Sequence, residues 1–329
     1  MVPTRKQKRL KQKVLIIKMG YSETLDKALS ITTSLGDVLR TTFILNYYKD
    51  WAVDWLVDGR AQQLLEHNKY IHRIFIYNPS IINELKKEYY DLVINLEKIP
   101  EVCFLASSLN AKQRLGFGLK GGQAHIGNYL KNIIGDSDLI EICREHSKKK
   151  LNQHCFQEIL AKALNKTWKQ ERYILGYKPK SNIKYDIGFN WTTSDKWTNK
   201  SWPESCWQRL EVLLKDKYTI SWQKGLSNIY NYIDWINSCR LVVTADTLGL
   251  HICLALGKRV VALFGPTSHK EIYSYGCGPY ILPASDYKCI PCLKPVCNKK
   301  KKCMKYILPE KVKEKIENEF KSRSYSKKL

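Results

Sequence analysis

Apolar runs alternate with amphipathic stretches along most of the chain. Residues 13–18 (KVLIIK) form a continuous apolar run typical of a buried parallel strand, and a helical pattern follows over residues 37–48. Further strands are predicted at residues 52–57, 73–77, 92–96 and 114–117, with helical stretches at 61–67, 80–88 and 100–109 between them. Strands that alternate with helices predict a parallel sheet covered by helices on both faces.

The alternation breaks once and then restarts. Residues 166–184 are polar and rich in lysine. Beyond them, strands are predicted at residues 185–190, 218–222, 240–245 and 259–264, with helices at 203–214, 229–238 and 247–256. We therefore predict an α/β protein of two doubly wound domains, residues 1–170 and 171–329, facing each other across a cleft. Ligands of such sheets bind beyond the carboxyl ends of the strands.

The composition narrows the class of protein. With 44% apolar residues in 329, the chain is not disordered throughout, and no stretch approaches the ~18 consecutive apolar residues of a membrane span. The basic N-terminus precedes an apolar run (residues 14–17) that is too short for the core of a signal peptide, so we expect a cytoplasmic protein.

The net charge of +24 is concentrated at the two ends. Residues 1–18 and 288–329 supply +17 of it. Nucleic-acid-binding proteins more often carry basic residues interleaved with aromatic ones through the folded body, so we expect no nucleic-acid partner. Basic ends suit peripheral contact with the anionic inner membrane face, and a purely solubilising role is the simpler alternative.

Two neighbouring strand ends carry candidate ligand-binding residues. In the sequence TADTLGLH, Asp246 and Thr247 are helix-capping types, Gly249 permits close approach of the backbone, and His251 follows on the helix. The next predicted strand ends in FGPT (residues 264–267). Taken singly, Asp246 is explained as a helix cap and His251 as a structural residue, but together the two loops predict a shared diphosphate pocket.

Three segments, in this order, resemble glycosyltransferase family 9, the ADP-heptose:lipopolysaccharide heptosyltransferases. They are SLGDVLRTT (residues 34–42), NKSWP (199–203) and ADTLGLHICLALGKRVVALFGPT (245–267), and the resemblance extends from about residue 13 to about residue 304. It implies the GT-B fold of two Rossmann-like domains. It also implies inverting transfer of heptose from ADP-heptose to a hydroxyl of a lipopolysaccharide-core or similar anionic glycan, with no cofactor required for catalysis.

The resemblance also implies two catalytic residues. Asp37 matches the Gly-Asp acid of the family, the proposed general base, which would accept the proton of the acceptor hydroxyl as its oxygen attacks the anomeric carbon. The alternative for Asp37 is a helix-capping carboxylate. Lys200 matches the family lysine near the leaving diphosphate. A solvated surface lysine is the alternative there, and Lys196 is a nearby competitor.

The donor-binding residues follow from the same resemblance. Asp246 and His251 are implied to contact hydroxyls of the sugar, and the stretch with Thr247 and Gly249 to offer backbone N–H groups to the phosphates. Gly265 and Thr267 are expected at the same pocket. The chain departs from many relatives in Leu248, which stands where glycine is common, in Phe43, which stands where proline is common, and in a long insert at residues 19–35.

Four of the eleven cysteines are clustered: Cys289, Cys292, Cys297 and Cys303. In a reducing compartment, four thiols within fifteen residues favour a structural zinc or iron site over disulfides. Free or redox-active thiols are the alternative. Nearby lysines would lower the pKa values of the thiols and partly offset the negative charge of the site.

Two other functions remain open from the sequence. One is another nucleotide-sugar-dependent transferase, or an epimerase-like enzyme of the same fold. The other is a metal-stapled module that binds polyanions or nucleic acid without catalysis. An enzyme requires Asp37 and Asp246 to face one cleft, whereas a binding module does not.

Overall fold

The computed structural model describes residues 11–21, 32–120, 123–125, 146–225, 228–284, 287–300 and 302–322. The N-terminal domain has a five-stranded parallel sheet with spatial order 3-2-1-4-5. Its strands are β1 (Lys13–Ile17), β2 (Ala52–Val57), β3 (Arg73–Ile76), β4 (Tyr89–Asn95) and β5 (Asn110–Gly116). Its helices are α1 (Leu35–Thr41), α2 (Gln62–Leu65), α3 (Pro79–Lys87) and α4 (Pro100–Ser108). A hairpin of β6 (Gly118–Lys120) and β7 (Gln123–His125) and the helices α5 (His146–Leu151) and α6 (Phe156–Ala163) follow.

The C-terminal domain has a second five-stranded parallel sheet, of order 12-11-10-8-9. Its strands are β8 (Tyr185–Asn190), β9 (Ile220–Trp222), β10 (Cys239–Ala245), β11 (Arg259–Leu263) and β12 (Tyr280–Ile281). Its helices are α7 (Glu204–Leu214), α8 (Ile229–Ser238), α9 (Leu248–Leu256) and α10 (Pro309–Ser322). The predicted α/β class with two doubly wound sheets is therefore confirmed.

The apolar runs become the central strands because both faces of each sheet are covered. All four apolar residues that end β1, Val14 to Ile17, are fully buried, as are Leu241, Val242 and Val243 of β10. The two domains meet where α1 packs against α9. Gly36 makes this approach feasible, because a Cβ there would lie 2.6 Å from Cδ2 of His251.

Two of the differences between the structure and the predicted elements concern helices near the site and in the basic C-terminal stretch. The helix expected over residues 37–48 ends as an α-helix at Thr41 and continues as a 3-10 helix, Thr42–Tyr47. The hydroxyls of Thr41 and Thr42 donate to main-chain oxygens of Asp37 and Leu39, which weakens regular helix geometry at this point. The basic C-terminal stretch contains the unpredicted helix α10, which packs against α7 and β11.

Some expectations concern residues that the structure does not describe. Residues 22–31 of the 19–35 insert, most of the basic N-terminus and the last seven residues lie outside the described residues. The domain boundary between residues 170 and 171 stays a prediction. Within the described ranges, no helix has both the length and the apolar character needed to cross a membrane.

Candidate active site

A cavity of about 220 Å³ opens between the two domains. We call it the cleft cavity. The N-terminal domain contributes the start of α1 and the residues before it, and the C-terminal domain contributes the loop after β8 and the start of α9. The lining residues are Thr32, Thr33, Ser34, Leu35, Gly36, Asn190, Thr192, Thr193, Ser194, Lys196, Trp197, Lys200, Tyr232, Asp246, Thr247, Leu248 and His251.

A second cavity, of about 40 Å³, shares four of these residues. We call it the inner cavity. It is lined by Asp37, Arg40, Lys149, Trp197, Lys200, Asp246, His251, Thr267, Ser268, Glu271, Ile272 and Leu293. Asp37 and Asp246, which come from different domains, thus face one cavity. This is the arrangement that separates an enzyme from a simple binding module.

Asp37 lies on the first turn of α1 and is held by two cations. Lys18 forms an ion pair with Oδ2, and Arg40 contacts Oδ1 through Nη2 at 2.6 Å and Nε at 2.8 Å. Burial favours the neutral acid, but the charges of Lys18 and Arg40 outweigh it and hold the pKa of Asp37 well below its usual range. The N-cap of α1 is Ser34 and not Asp37, so Asp37 is more than the helix cap considered as its alternative.

Lys200 is buried and pairs with Asp246. Its Nζ lies 2.9 Å from Oδ2 and 2.9 Å from the main-chain oxygen of Asp246, and 4.6 Å from the ring centre of Trp197. Burial opposes ionisation of Asp246, but Lys200 and His251 lower the pKa of this carboxyl to about 2. Lys200 is therefore not a solvated surface lysine. The competitor Lys196 donates instead to the main-chain oxygen of Thr32, at 2.8 Å, and so bridges the two domains.

The start of α9 is fixed by a network of side chains. Thr247 is the N-cap and accepts the N–H of Gly249. Asn190 Nδ2 donates to Oγ1 of Thr247 at 3.0 Å, and the Tyr232 hydroxyl donates to Asn190 Oδ1 at 2.8 Å. A Cβ on residue 249 would lie 2.4 Å from Asn190 Nδ2, so this close packing requires glycine. The first N–H groups of α9 consequently lie at the cleft cavity in a fixed arrangement.

His251 lies at the domain interface, on the first turn of α9. It is 5% exposed, and burial lowers its pKa to about 4, although the nearby Asp246 opposes the shift. The imidazole is therefore neutral at physiological pH. Among the described residues, its Nδ1 has no hydrogen-bond partner. A buried imidazole nitrogen that faces a cavity is suited to bind a hydroxyl of a ligand.

Two residues of the FGPT turn are expected at the pocket, and the structure places one of them there. Thr267 lines the inner cavity, whereas Gly265 lines neither cavity. A Cβ on Gly265 would lie 2.6 Å from Met304 Sδ and 2.8 Å from Cys303 Sγ. The small size of Gly265 therefore allows the end of the cysteine loop (residues 289–303) to pack closely against it. A donor-binding role for Gly265 stays a prediction.

Hydrogen bonds made by main-chain atoms of the cysteine loop join it to the candidate site. Leu293 N–H donates to the oxygen of Pro266 at 2.7 Å, and the side-chain amide of Asn199 donates to the oxygen of Lys294 at 3.0 Å. Burial raises the pKa of Cys303 to about 11, and the other three cysteines of the cluster add to this shift. In the described part of the chain, however, no three His, Cys, Asp or Glu side chains are gathered in the arrangement of a metal site.

Sequence reasoning missed Lys18 and Arg40, the two partners of Asp37. Lys18 is a cation at the end of a fully apolar strand, which is a signal for a buried ion pair. Arg40 lies three residues after Asp37 on α1, a spacing at which helical side chains meet. The guanidinium of Arg40 also stacks over the ring of Phe156, at 4.0 Å.

Comparison with known proteins supports the resemblance stated above. The family model described as glycosyltransferase family 9 (heptosyltransferase) matches residues 225–303. A lipooligosaccharide heptosyltransferase 2 from Campylobacter jejuni is 28% identical over 124 residues, which cover 37% of this chain and 39% of the relative. The match therefore spans about two fifths of the curated relative. The resemblance to glycosyltransferase family 9 is confirmed by this segment.

Solved structures extend the likeness to the whole fold. The Escherichia coli heptosyltransferase WaaC with ADP-2-deoxy-2-fluoro heptose has a TM-score of 0.58 at 19% identity, covering 94% of this chain and 100% of that chain. The iron-containing dodecameric glycosyltransferase TibC from enterotoxigenic E. coli has a TM-score of 0.57 at 12% identity, covering 95% of this chain and 77% of that chain. The expected GT-B fold of two Rossmann-like domains is confirmed.

Proposed function

We propose that this chain is an inverting glycosyltransferase that transfers heptose from ADP-heptose to a lipopolysaccharide-core or similar anionic glycan. The observation that carries the proposal is the inner cavity, which is lined by carboxylates from two domains, Asp37 and Asp246, and by the buried Lys200 that pairs with Asp246. The similarity of the fold to WaaC, solved with an ADP-heptose analogue, supports the choice of donor. The family match at residues 225–303 supports it independently.

Asp37 acts as the general base in this proposal. The hydroxyl of the acceptor attacks the anomeric carbon from the face opposite the diphosphate, and its proton passes to Asp37. The new bond joins the acceptor oxygen to the anomeric carbon, and the bond from that carbon to the diphosphate oxygen breaks. The configuration at the anomeric carbon is inverted because attack and departure take place on opposite faces.

Lys200 and the start of α9 receive the donor. The partial positive charge at the N-terminus of α9 favours the diphosphate. Lys200, now paired with Asp246, can shift toward the diphosphate as charge grows on the leaving oxygen. Asp246 and neutral His251 then bind hydroxyls of the sugar. With Lys196 also at the cleft cavity, two ammonium groups supply the charge that a metal ion supplies in other transferases, so no cofactor is needed for catalysis.

We also propose that Cys289, Cys292, Cys297 and Cys303 hold one structural zinc or iron ion. Their spacing within fifteen residues of sequence supports this, and TibC, of similar fold, is described as iron-containing. A site with four thiolates leaves no open position for substrate, so its loss should affect stability before activity. Elemental analysis of protein purified without chelator is expected to give one ion per chain. Protein without metal and with four rapidly alkylated thiols would contradict the proposal.

Peripheral contact with the anionic cytoplasmic face of the inner membrane completes the proposal. Five lysines around the cysteine loop are exposed: Lys288, Lys294, Lys299, Lys300 and Lys302. Each adds ~1 kcal/mol of attraction near an anionic surface. Co-sedimentation with phosphatidylglycerol vesicles is expected at low salt and not with phosphatidylcholine vesicles. Equal sedimentation with both would contradict a charge-driven contact.

The donor class is tested by thermal stabilisation against a panel of nucleotide sugars. ADP-heptose is expected to raise the melting temperature most, and Asp246→Ala to reduce that rise. A matched control is Asp216→Ala, which lies after α7, outside both cavities. Stabilisation by UDP- or GDP-sugars alone would assign another nucleotide-sugar transferase, and stabilisation only by polyanions would assign a binding module.

A further inference from the structure

A buried ion cluster adjoins Asp37 without reaching either cavity. Lys18 follows β1 and Glu97 follows β4, and these two strands are paired in the sheet with Ile17 beside Asn95. Lys18 is 4% exposed and Glu97 is fully buried. The Lys18 ammonium contacts Oδ2 of Asp37 and lies 3.4 Å from Oε1 of Glu97. Since Lys18 and Glu97 line neither cavity, they act on a substrate only through Asp37.

The orientation of Glu97 is fixed by the backbone around it. Its Oε1 accepts the N–H groups of Met19 and Gly20, both at 2.7 Å, and of Tyr21 at 3.3 Å. The turn that carries it is braced by Asn95, whose side chain donates to the main-chain oxygen of Glu97 and accepts its N–H. Glu97 is therefore a fixed negative charge beside Lys18.

We propose that Lys18 is a positioning residue for Asp37: its ammonium, held by Glu97, fixes Oδ2 of Asp37 and sets how readily this carboxylate takes a proton. The inference rests on the base role of Asp37 proposed above. With Arg40 at Oδ1 and Lys18 at Oδ2, both oxygens of Asp37 are held, so the carboxylate has one orientation toward the cavity.

The charged groups around Asp37 are of two kinds: the buried pair Lys18 and Glu97, and the residues that line the inner cavity. Burial alone would lower the pKa of Lys18, but Asp37 and Glu97 raise it, so the ammonium stays charged. Among the residues that the structure describes, the other charged or titratable groups that share the inner cavity with Asp37 are Arg40, Lys149, Lys200, Asp246, His251 and Glu271. A ligand in the cavity can rearrange these, whereas Lys18 and Glu97 are out of its reach. The Lys18–Glu97 pair is thus the fixed part of the field on Asp37.

The test is the pH profile of kcat/KM in Lys18→Gln, which is neutral but still donates N–H. Removing a cation in contact with a carboxylate raises the pKa of that carboxyl by about 1–3 units. The acid limb of the profile should therefore move upward by that amount, with activity falling about tenfold for each further pH unit below it. Lys18→Arg should follow the wild type. Lys13→Met, on the same strand and also paired with carboxylates, should leave the profile unchanged.

A second readout separates this inference from the proposed function. Carbon-13 NMR titration of the Asp37 carboxyl needs no turnover and is run on the wild type and on Lys18→Gln. A raised pKa in the variant supports the inference even where no sugar is transferred, and an unchanged pKa overturns it. A uniform loss of activity at all pH values with an unmoved acid limb also overturns it. If the single variant does not fold, Lys18→Gln/Glu97→Gln removes both charges together, and a smaller rise is expected, because the loss of the Glu97 charge partly offsets the loss of the nearer Lys18 charge.

Discussion

Asp37 and Asp246 are two carboxylates at the starts of facing helices, Asp37 buried and Asp246 partly buried, and each is paired with a lysine. Asp37 has a cation on each oxygen, Lys18 and Arg40. Asp246 has one cation, Lys200, which divides its hydrogen bonds between the carboxylate and the main-chain oxygen of the same residue. Asp37 is therefore held at both oxygens, whereas Asp246 is held by a lysine at one carboxylate oxygen.

This difference matches two different tasks. A general base must present one lone pair toward the acceptor, and fixed cations on both oxygens achieve that. A donor-binding acid must release its lysine when a more highly charged group arrives, and a single shared lysine allows that. In the proposed mechanism, the same residue pair, a carboxylate and a lysine, orients the base on one side of the cavity and brings a positive charge to the leaving group on the other.

The largest expected effect comes from removing the base. Asp37→Ala should lower kcat by about 10²–10⁴-fold at saturating donor, since positioned bases contribute that much to rate. Steady-state kinetics at pH 7.5 give the value. The control is Asp50→Ala on the surface of the same domain, which should keep the turnover of the wild type. Near-normal turnover in Asp37→Ala would remove the base role.

Lys200→Ala is expected to have the next largest effect. If Lys200 stabilises charge that develops on the leaving diphosphate, kcat should fall by about 10²-fold, more than the KM for donor rises. The neighbouring Lys196→Ala should mainly raise KM, because its ammonium binds the main-chain oxygen of Thr32. If the two variants exchange these behaviours, the catalytic lysine is Lys196.

A smaller effect is expected from filling the space beside α9. In Gly249→Ala the added methyl group would lie 2.5 Å from the hydroxyl of Tyr232 and closer still to Asn190, so the start of α9 must shift. Donor affinity measured by calorimetry should fall about tenfold, which corresponds to ~1.4 kcal/mol. Gly59→Ala, whose Cβ would make an ordinary 3.4 Å contact, is the matched control. Equal affinities would show that this start of α9 does not bind the donor.

The last effect is on stability alone and concerns pH and His251. Its folded-state pKa of about 4 lies below its ordinary value of 6.5, so the unfolded chain binds more protons between these values. The free energy of unfolding should therefore fall as pH drops from 6.5 toward 4, by roughly 1–3 kcal/mol from this residue. Urea unfolding of the wild type and of His251→Gln at pH 7 and pH 4.5 measures it. An identical pH dependence in both proteins would contradict a buried neutral His251.

Much of the fold follows from local pattern. The continuous apolar strands, such as residues 13–18 and 259–264, can be predicted from the sequence. Strands that are buried on both faces show no alternation of apolar and polar residues. Helix α10 was missed because its apolar positions, Val312 and Ile316, are few within a lysine-rich stretch, and only packing against the sheet selects them.

Less of the candidate site could be predicted from the sequence. Asp37, Lys200 and Asp246 were predicted from the three segments that resemble the family, and the structure places all three at the inner cavity. Lys18 was not found as a partner of Asp37, because a long insert separates the two residues, and Glu97, the partner of Lys18, lies three strands further along the chain. Such contacts depend on which strands are neighbours, and a single sequence does not encode that order in any local pattern.

The proposal that Asp37 acts on the acceptor and Asp246 binds the donor is tested most directly by calorimetry. ADP-heptose is titrated, without acceptor, into Asp37→Ala and Asp246→Ala. The account predicts that Asp37→Ala binds the donor with the affinity of the wild type, because Asp37 acts on the acceptor. It predicts that Asp246→Ala binds about tenfold or more weakly, because a charge-assisted hydrogen bond to the sugar is lost. Unchanged affinity in Asp246→Ala, or an equal loss in both variants, would contradict it.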